Sequence, residues 1–296
     1  MGSAAMGTPL ATLLLLLGLA LTSALSVAKD TGEPLMYPFG LELGDAATPT
    51  EDDGMSPEIS IDVPFSFYGQ RYRGLYVNNN GVVSFGVSVA QYTPDPFPLA
   101  DGRPFVAPYW GDVDTRLGGH VYYRQSRDAT LLRRLTRDLR AYFPGIHFTA
   151  TWALVATWDH VAFFGAATTV ARKENTFQAV LATDGDISFI MLNYEDIQWT
   201  TGIASGGDPL TGLGGTAAQA GFNSGDNTHY YNIPGSRTDN VLNIQRTSNV
   251  GVPGRWVFQV DVGISTVAPS TAPPAPPRTT APPPPPTESS EEDCLE

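Results

Sequence analysis

Apolar and β-branched runs recur through residues 29–262, and each run is closed by Gly, Pro, Asn or Asp. That punctuation is the strongest constraint on the chain. Short runs of alternating polarity cannot bury a helical stripe, and the brief turns between them join neighbouring strands antiparallel. Residues 59–67 alternate around Pro64. Residues 74–85 read as strand, turn at Asn78-Asn79-Asn80-Gly81, and strand, because Asn and Gly accept the positive φ of a tight hairpin. Later runs fall at 121–123, 152–164, 176–183, 187–194, 217–222 and 256–260, with Thr183-Asp184-Gly185-Asp186 as a second hairpin signal. The expectation is a mostly β domain over 29–262, an antiparallel β-sandwich or barrel-like structure.

One segment departs from this pattern. Leu131, Leu132, Leu135, Leu139 and Tyr142 or Phe143 recur at helical spacing, with Arg133, Arg134, Arg137 and Arg140 filling the other face. Asp128 stands at an N-cap position and Pro144 stops the run, which predicts one amphipathic helix. Its arginines are read as a solvated face beside acidic neighbours, with a binding patch as the alternative.

The two ends differ from the domain. Residues 10–21 form a nearly continuous apolar stretch followed by small residues, too short to span a bilayer and laid out as a secretory leader. Residues 1–28 are therefore expected to be a signal peptide, and the mature protein is expected to be secreted without membrane insertion. Residues 263–296 hold 10 Pro and 9 Ser or Thr, including five consecutive prolines, so this segment cannot bury a core. It is expected to be a disordered, O-glycosylated stalk with an acidic end. The single cysteine, Cys294, has no internal partner. On an acidic tail in an oxidising compartment it is a candidate for an intermolecular disulfide and a covalent dimer.

Charge excludes one class of partner. The chain carries 17 Lys and Arg against 30 Asp and Glu, a net −13, and no basic run exceeds the pair Arg133-Arg134. Nucleic acid has no electrostatic reason to bind such a surface. Signals for enzyme chemistry are also missing. The glycine run from Gly212 to Ala217 lacks the strand before it and the helix after it that make a dinucleotide loop. The four histidines show no metal-ligand spacing, and no phosphate loop occurs. No catalytic residue and no cofactor is assigned.

Two acidic groupings remain. Asp112 and Asp114 fall two residues apart on an extended stretch, which places both carboxylates on one side. Glu51-Asp52-Asp53-Gly54 adds an acidic loop. Such carboxylates cap turns or pair with arginines such as Arg116 and Arg124, and that structural role is the reading taken, with no metal assigned. Calcium ligation by Asp112 and Asp114 is the alternative, since calcium collects six to eight oxygens.

A set of motifs then carries a resemblance. Tyr37-Pro38-Phe39-Gly40, Leu75-Tyr-Val-Asn-Asn-Asn-Gly81-Val-Val-Ser-Phe85, Phe105-Val-Ala-Pro-Tyr-Trp110-Gly-Asp-Val-Asp114 and Val121-Tyr-Tyr-Arg124 resemble the nidogen-like, or NIDO, domain. Asn175-Thr-Phe-Gln-Ala-Val180, Ala218-Gln-Ala-Gly-Phe-Asn223 and Asn249-Val-Gly-Val-Pro-Gly-Arg-Trp256 continue the series in order, so the resemblance covers about residues 37–261. It implies an extracellular-matrix or cell-surface interaction module associated with cell–matrix adhesion, and it brings no catalytic residues. Members of the family continue into cysteine-rich modules, whereas this sequence runs into a proline-rich segment, so functions of those modules are not transferred.

The reading is a secreted, non-enzymatic adhesion module that contacts matrix or cell-surface proteins. The turn at Asn78, Asn79 and Asn80 is its candidate contact hairpin, because loops on a rigid sandwich commonly carry binding. The alternatives are a calcium-dependent or glycan-binding lectin-like module, and a matrix hydrolase using Asp112 and Asp114.

Overall fold

The computed structural model describes residues 32–167 and 172–266. The leader at 1–28, Cys294 and most of the proline-rich segment lie outside the described residues.

Two antiparallel sheets pack face to face. The strands are β1 (Ala46–Ala47), β2 (Ile59–Phe67), β3 (Gln70–Asn78), β4 (Val82–Phe85), β5 (Phe105–Trp110), β6 (His120–Ser126) and β7 (Trp152–Ala162). They continue as β8 (Glu174–Thr183), β9 (Ser188–Ile197), β10 (Gln219–Asn223), β11 (Tyr230–Asn232), β12 (Arg255–Gln259) and β13 (Ser265–Thr266). A seven-stranded sheet runs β1-β6-β7-β8-β9-β12-β13, and a six-stranded sheet runs β11-β10-β5-β4-β3-β2. Among the described residues neither sheet closes on itself, so the structure is an open sandwich, one of the two arrangements expected. Pro64 sits where the β2–β3 register shifts, a place that tolerates a residue without an N–H. The edge strand β13 takes two residues beyond the expected boundary at 262 back onto β12.

Burial explains which strands show alternation and which do not. Between the sheets lie Phe65, Phe67, Phe85 and Tyr109 from one side and Leu154, Trp158, Leu181, Ile190 and Phe258 from the other. Their neighbours Val155, Val180, Ala182, Phe189, Met191 and Val257 point to the outer face of the seven-stranded sheet. There the helix α1 (Ala129–Tyr142) covers them with Leu131, Leu135 and Leu139. Strands buried on both faces read as continuous apolar runs. The helix starts where expected: Asp128 Oδ1 accepts from the Thr130 and Leu131 amides at 3.0 and 2.9 Å.

Strand β5 was not marked by the sequence pattern, although its residues belong to a quoted motif. All six of its residues are buried, and it contains Pro108, so neither alternation nor composition identifies it. Its outer face carries Phe105, Ala107 and Trp110, which pack beneath Val89 and Phe97 of the long loop after β4.

Candidate functional site

The Asn78-Asn79-Asn80-Gly81 turn joins β3 to β4 as expected, and Gly81 has φ +79° while neither Asn79 nor Asn80 has a positive φ. It is not an exposed contact hairpin. All four residues are buried, with Asn79 at 0% exposure. The reason lies in what covers the turn. Trp158 Nε1 donates to the carbonyls of Asn78 and Asn79 at 3.2 and 3.0 Å, and the residues following β5 return along the other side. There the Gly111 amide donates to the Asn80 carbonyl at 3.2 Å.

Each asparagine side chain organises a different loop. Asn78 Nδ2 donates to the Val82 carbonyl at 3.1 Å, and its Oδ1 accepts from the Val89 amide at 3.1 Å. Asn79 Oδ1 accepts from the Thr48 hydroxyl at 2.5 Å, and its Nδ2 donates to the Pro49 and Glu51 carbonyls at 3.2 and 3.1 Å. Asn80 Oδ1 accepts from the Val113 amide at 2.9 Å, while its Nδ2 donates to Asp53 Oδ1 at 2.7 Å. A buried amide satisfies several orphan groups at once, having two donors and a two-lone-pair acceptor. The turn is therefore the scaffold that holds the acidic loop at 51–54 against the segment after β5.

That segment separates Asp112 from Asp114. Asp114 pairs with Arg116 through both oxygens, at 2.8 Å to Nε and 2.7 Å to Nη2, the structural role expected of an arginine-paired carboxylate. Arg116 also reaches Asp52 Oδ2 at 3.0 Å. Arg124, the other arginine considered, pairs instead with Asp45. Among the described residues Asp112 takes no part in these ion pairs. One oxygen each from Asp112, Asp52 and Asp53 lie within 4.8 Å of one another. The two carboxylates two residues apart thus have different environments, and the acidic neighbours of Asp112 come from about sixty residues earlier in the chain.

The electrostatics follow from this placement. Asp112 is 2% exposed, and its Oδ2 has no hydrogen-bond partner. Burial, followed by the charges of Asp52, Asp53 and Asp114, pushes its carboxyl up to about 7. Burial also raises Asp52, with Asp114 and Asp53 adding repulsion that Arg116 only partly offsets. The wall on one side is Gly202, where a Cβ would stand 2.5 Å from Asp112 Oδ2.

Two surface concavities lie along α1. One of about 930 Å³ runs along α1 and is lined by Arg124, Arg133, Arg134 and Arg137, away from Asp112 and Asp114. Three of the four arginines on α1 bond to residues outside the helix, and Arg133 bonds to Thr130 within it. Arg137 binds both oxygens of Glu33, Arg134 donates to the Pro34 carbonyl at 2.7 Å, and Arg140 donates to the Phe148 carbonyl at 2.6 Å. They fasten neighbouring segments to the helix, a role that helical spacing alone does not show. Among the described residues no helix is long and apolar enough to cross a membrane.

The nidogen-like domain profile matches residues 73–262, which includes the asparagine turn, Asp112 and Asp114 and begins after Asp52 and Asp53. The chain belongs to the nidogen-like domain family. This nidogen-like domain is 55% identical over 228 residues to mouse alpha-tectorin and 54% identical over 228 residues to human alpha-tectorin. Mouse nidogen-1 is more distant, at 30% over 239 residues. The matches cover 77% of this chain for both alpha-tectorins and 76% for nidogen-1. They span 10% of each alpha-tectorin and 19% of nidogen-1, so the chain corresponds to a small part of those proteins. No solved structure matches the chain.

Proposed function

We propose that this nidogen-like domain is a secreted extracellular-matrix module that acts in cell–matrix adhesion through protein–protein contacts and catalyses no reaction. The observation that carries the reading is the 55% identity to alpha-tectorin across 77% of the chain, with nidogens as further relatives. Both are extracellular-matrix proteins. The pairing of Asp114 with Arg116 and the burial of Asp112 against Gly202 support a structural role for the two carboxylates.

With the asparagine turn buried, the contact surface moves to the loop between β9 and β10. Ile203, Leu210 and Leu213 are large apolar side chains exposed there, at 41%, 50% and 36%. Exposed apolar residues on a loop held by a rigid sheet are a common basis for protein contacts. The decisive experiment is solid-phase binding of the secreted protein to decellularised matrix. Saturable binding that Leu210→Asp with Leu213→Asp abolishes, at unchanged Tm, supports the reading. Binding to no matrix fraction, or turnover of a matrix glycan that Asp112→Asn abolishes, replaces it with the lectin-like or hydrolytic alternative.

A further inference from the structure

A buried carboxylate normally accepts hydrogen bonds or faces a cation, because leaving an ionised group dry and unpaired costs several kcal/mol. Asp112 does neither. Among the described residues its side chain accepts no hydrogen bond and joins no ion pair, although it is 2% exposed and its Oδ2 is fully enclosed. Asp52 has an enclosed and unpartnered oxygen as well, its Oδ1. Two carboxylates placed by different parts of the chain therefore each hold an enclosed, unsatisfied acceptor.

The protein does not balance the charge of this cluster. Asp52, Asp53, Asp112 and Asp114 meet one guanidinium, Arg116, which binds both oxygens of Asp114 and reaches Asp52 Oδ2 at 3.0 Å, leaving Asp52 Oδ1, Asp53 and Asp112 without a cation. The remaining acceptors are arranged for a cation. One oxygen from each of Asp52, Asp53 and Asp112 lie within 4.8 Å of one another. Ligands around a single calcium reach about that separation, since each Ca–O bond is roughly 2.3–2.6 Å. Asp53 is exposed, which leaves that side open for water to complete the shell. The positions are also held in advance: Asn80 anchors Asp53 and Asn79 anchors the loop backbone, while Gly202 leaves room for the Asp112 carboxylate. A side chain at Gly202 would occupy that space.

We propose that Asp52, Asp53 and Asp112 bind a calcium ion, which fastens the loop at 51–54 to the segment after β5. The site takes a hard divalent cation through carboxylate oxygens and water. Its affinity falls in the range of extracellular calcium modules, about 0.1–1 mM, because three carboxylates contribute and the shell is half open. This inference is independent of the adhesion reading, since cation binding is measured on the isolated chain without any matrix partner.

The test is isothermal titration calorimetry and thermal melting of the chelator-treated chain at neutral pH, with calcium and magnesium chloride as separate probes. Wild type should bind one calcium and show a saturable rise in Tm. Asp53→Asn, at an exposed position that leaves the core intact, should weaken calcium binding about ten-fold or more through loss of one charged ligand. Asp112→Asn should abolish the calcium response while melting no lower than wild type without metal, because it removes the unpaired buried carboxylate. Asp62→Asn, on the exposed part of β2, should leave binding unchanged. No heat of binding and no Tm shift up to about 10 mM calcium, well above the extracellular range, would overturn the proposal. So would equal calcium affinity in wild type and Asp53→Asn, or a magnesium response that matches the calcium one in all four proteins.

Discussion

The carbonyl oxygen of Tyr109 lies 1.9 Å from where a Cβ on Gly81 would be. Gly81 also has φ +79°, so its missing side chain serves two purposes. It permits the left-handed turn, and it lets β5 approach closely enough for the Tyr109 amide to donate to the Gly81 carbonyl at 3.3 Å.

Gly81→Val should therefore be severely destabilising. The positive φ costs about 1–3 kcal/mol and the displaced backbone of β5 a similar amount again. For a domain of this size Tm should fall by roughly 5–15 °C. Thermal melts beside Gly86→Val provide the comparison, because a Cβ at Gly86 meets nothing nearer than 3.9 Å and only the φ cost applies. Equal losses in the two variants would show that the contact with Tyr109 contributes nothing.

Asn79→Ala should loosen the acidic loop before it unfolds the sandwich. It leaves the Thr48 hydroxyl without its acceptor and the Pro49 carbonyl without its donor, while the Glu51 carbonyl keeps the Thr115 hydroxyl. The expected loss is about 2–4 kcal/mol, as buried polar groups go unsatisfied. Hydrogen exchange should show the Gly54-bonded amide of residue 79 and the amides at 48–54 losing protection, while β7 to β9 retain theirs. Uniform loss across the sheets would contradict a local anchoring role.

Arg255 ties the segment before β1 to the seven-stranded sheet. Its Nε donates to Asn193 Oδ1 at 2.9 Å, Nη1 to the Tyr142 hydroxyl at 3.1 Å, and Nη2 to the Leu35 carbonyl. Arg255→Met keeps the length and removes all three donors, so a loss of about 2–4 kcal/mol is expected in chemical denaturation. Limited proteolysis near residues 33–38 should accelerate. Arg255→Lys should recover only part of the stability, since an ammonium cannot reproduce the planar fork.

His160 should titrate above its ordinary value of 6.5, because its Nδ1 lies 2.6 Å from Asp159 Oδ1 and that hydrogen bond favours the imidazolium. The folded-state value is the raised one. The associated stabilisation is complete below the unfolded-state value and is lost as pH rises through the folded-state value. His160 is largely exposed, so the effect on stability is small and the titration itself is the readout. In an NMR pH titration Asp159→Asn should move the His160 midpoint down towards 6.5; an unmoved midpoint would remove the pairing.

Much of the fold was legible from residue order. β2 occupies the residues that alternation marked, and α1 begins at the cap of Asp128 and ends before Pro144. These features depend on residues within a few positions of one another: side-chain alternation, a capping carboxylate, a proline without an N–H. The sequence determined β2, the helix and the tight turn at Gly81 in this way. Only the tertiary structure decided what covers that turn. Asn78, Asn79 and Asn80 have the composition of an exposed loop, and they are buried because Trp158 and the chain after β5 close over them from about 30–80 residues away. The same holds for Asp112. Its spacing suggested Asp114 as its partner, but Arg116 takes Asp114, and Asn79 and Asn80 bring Asp52 and Asp53 to Asp112 instead. Local conformation is set by near neighbours along the chain, whereas burial and charge pairing are set by which distant segments the packed sheets bring together.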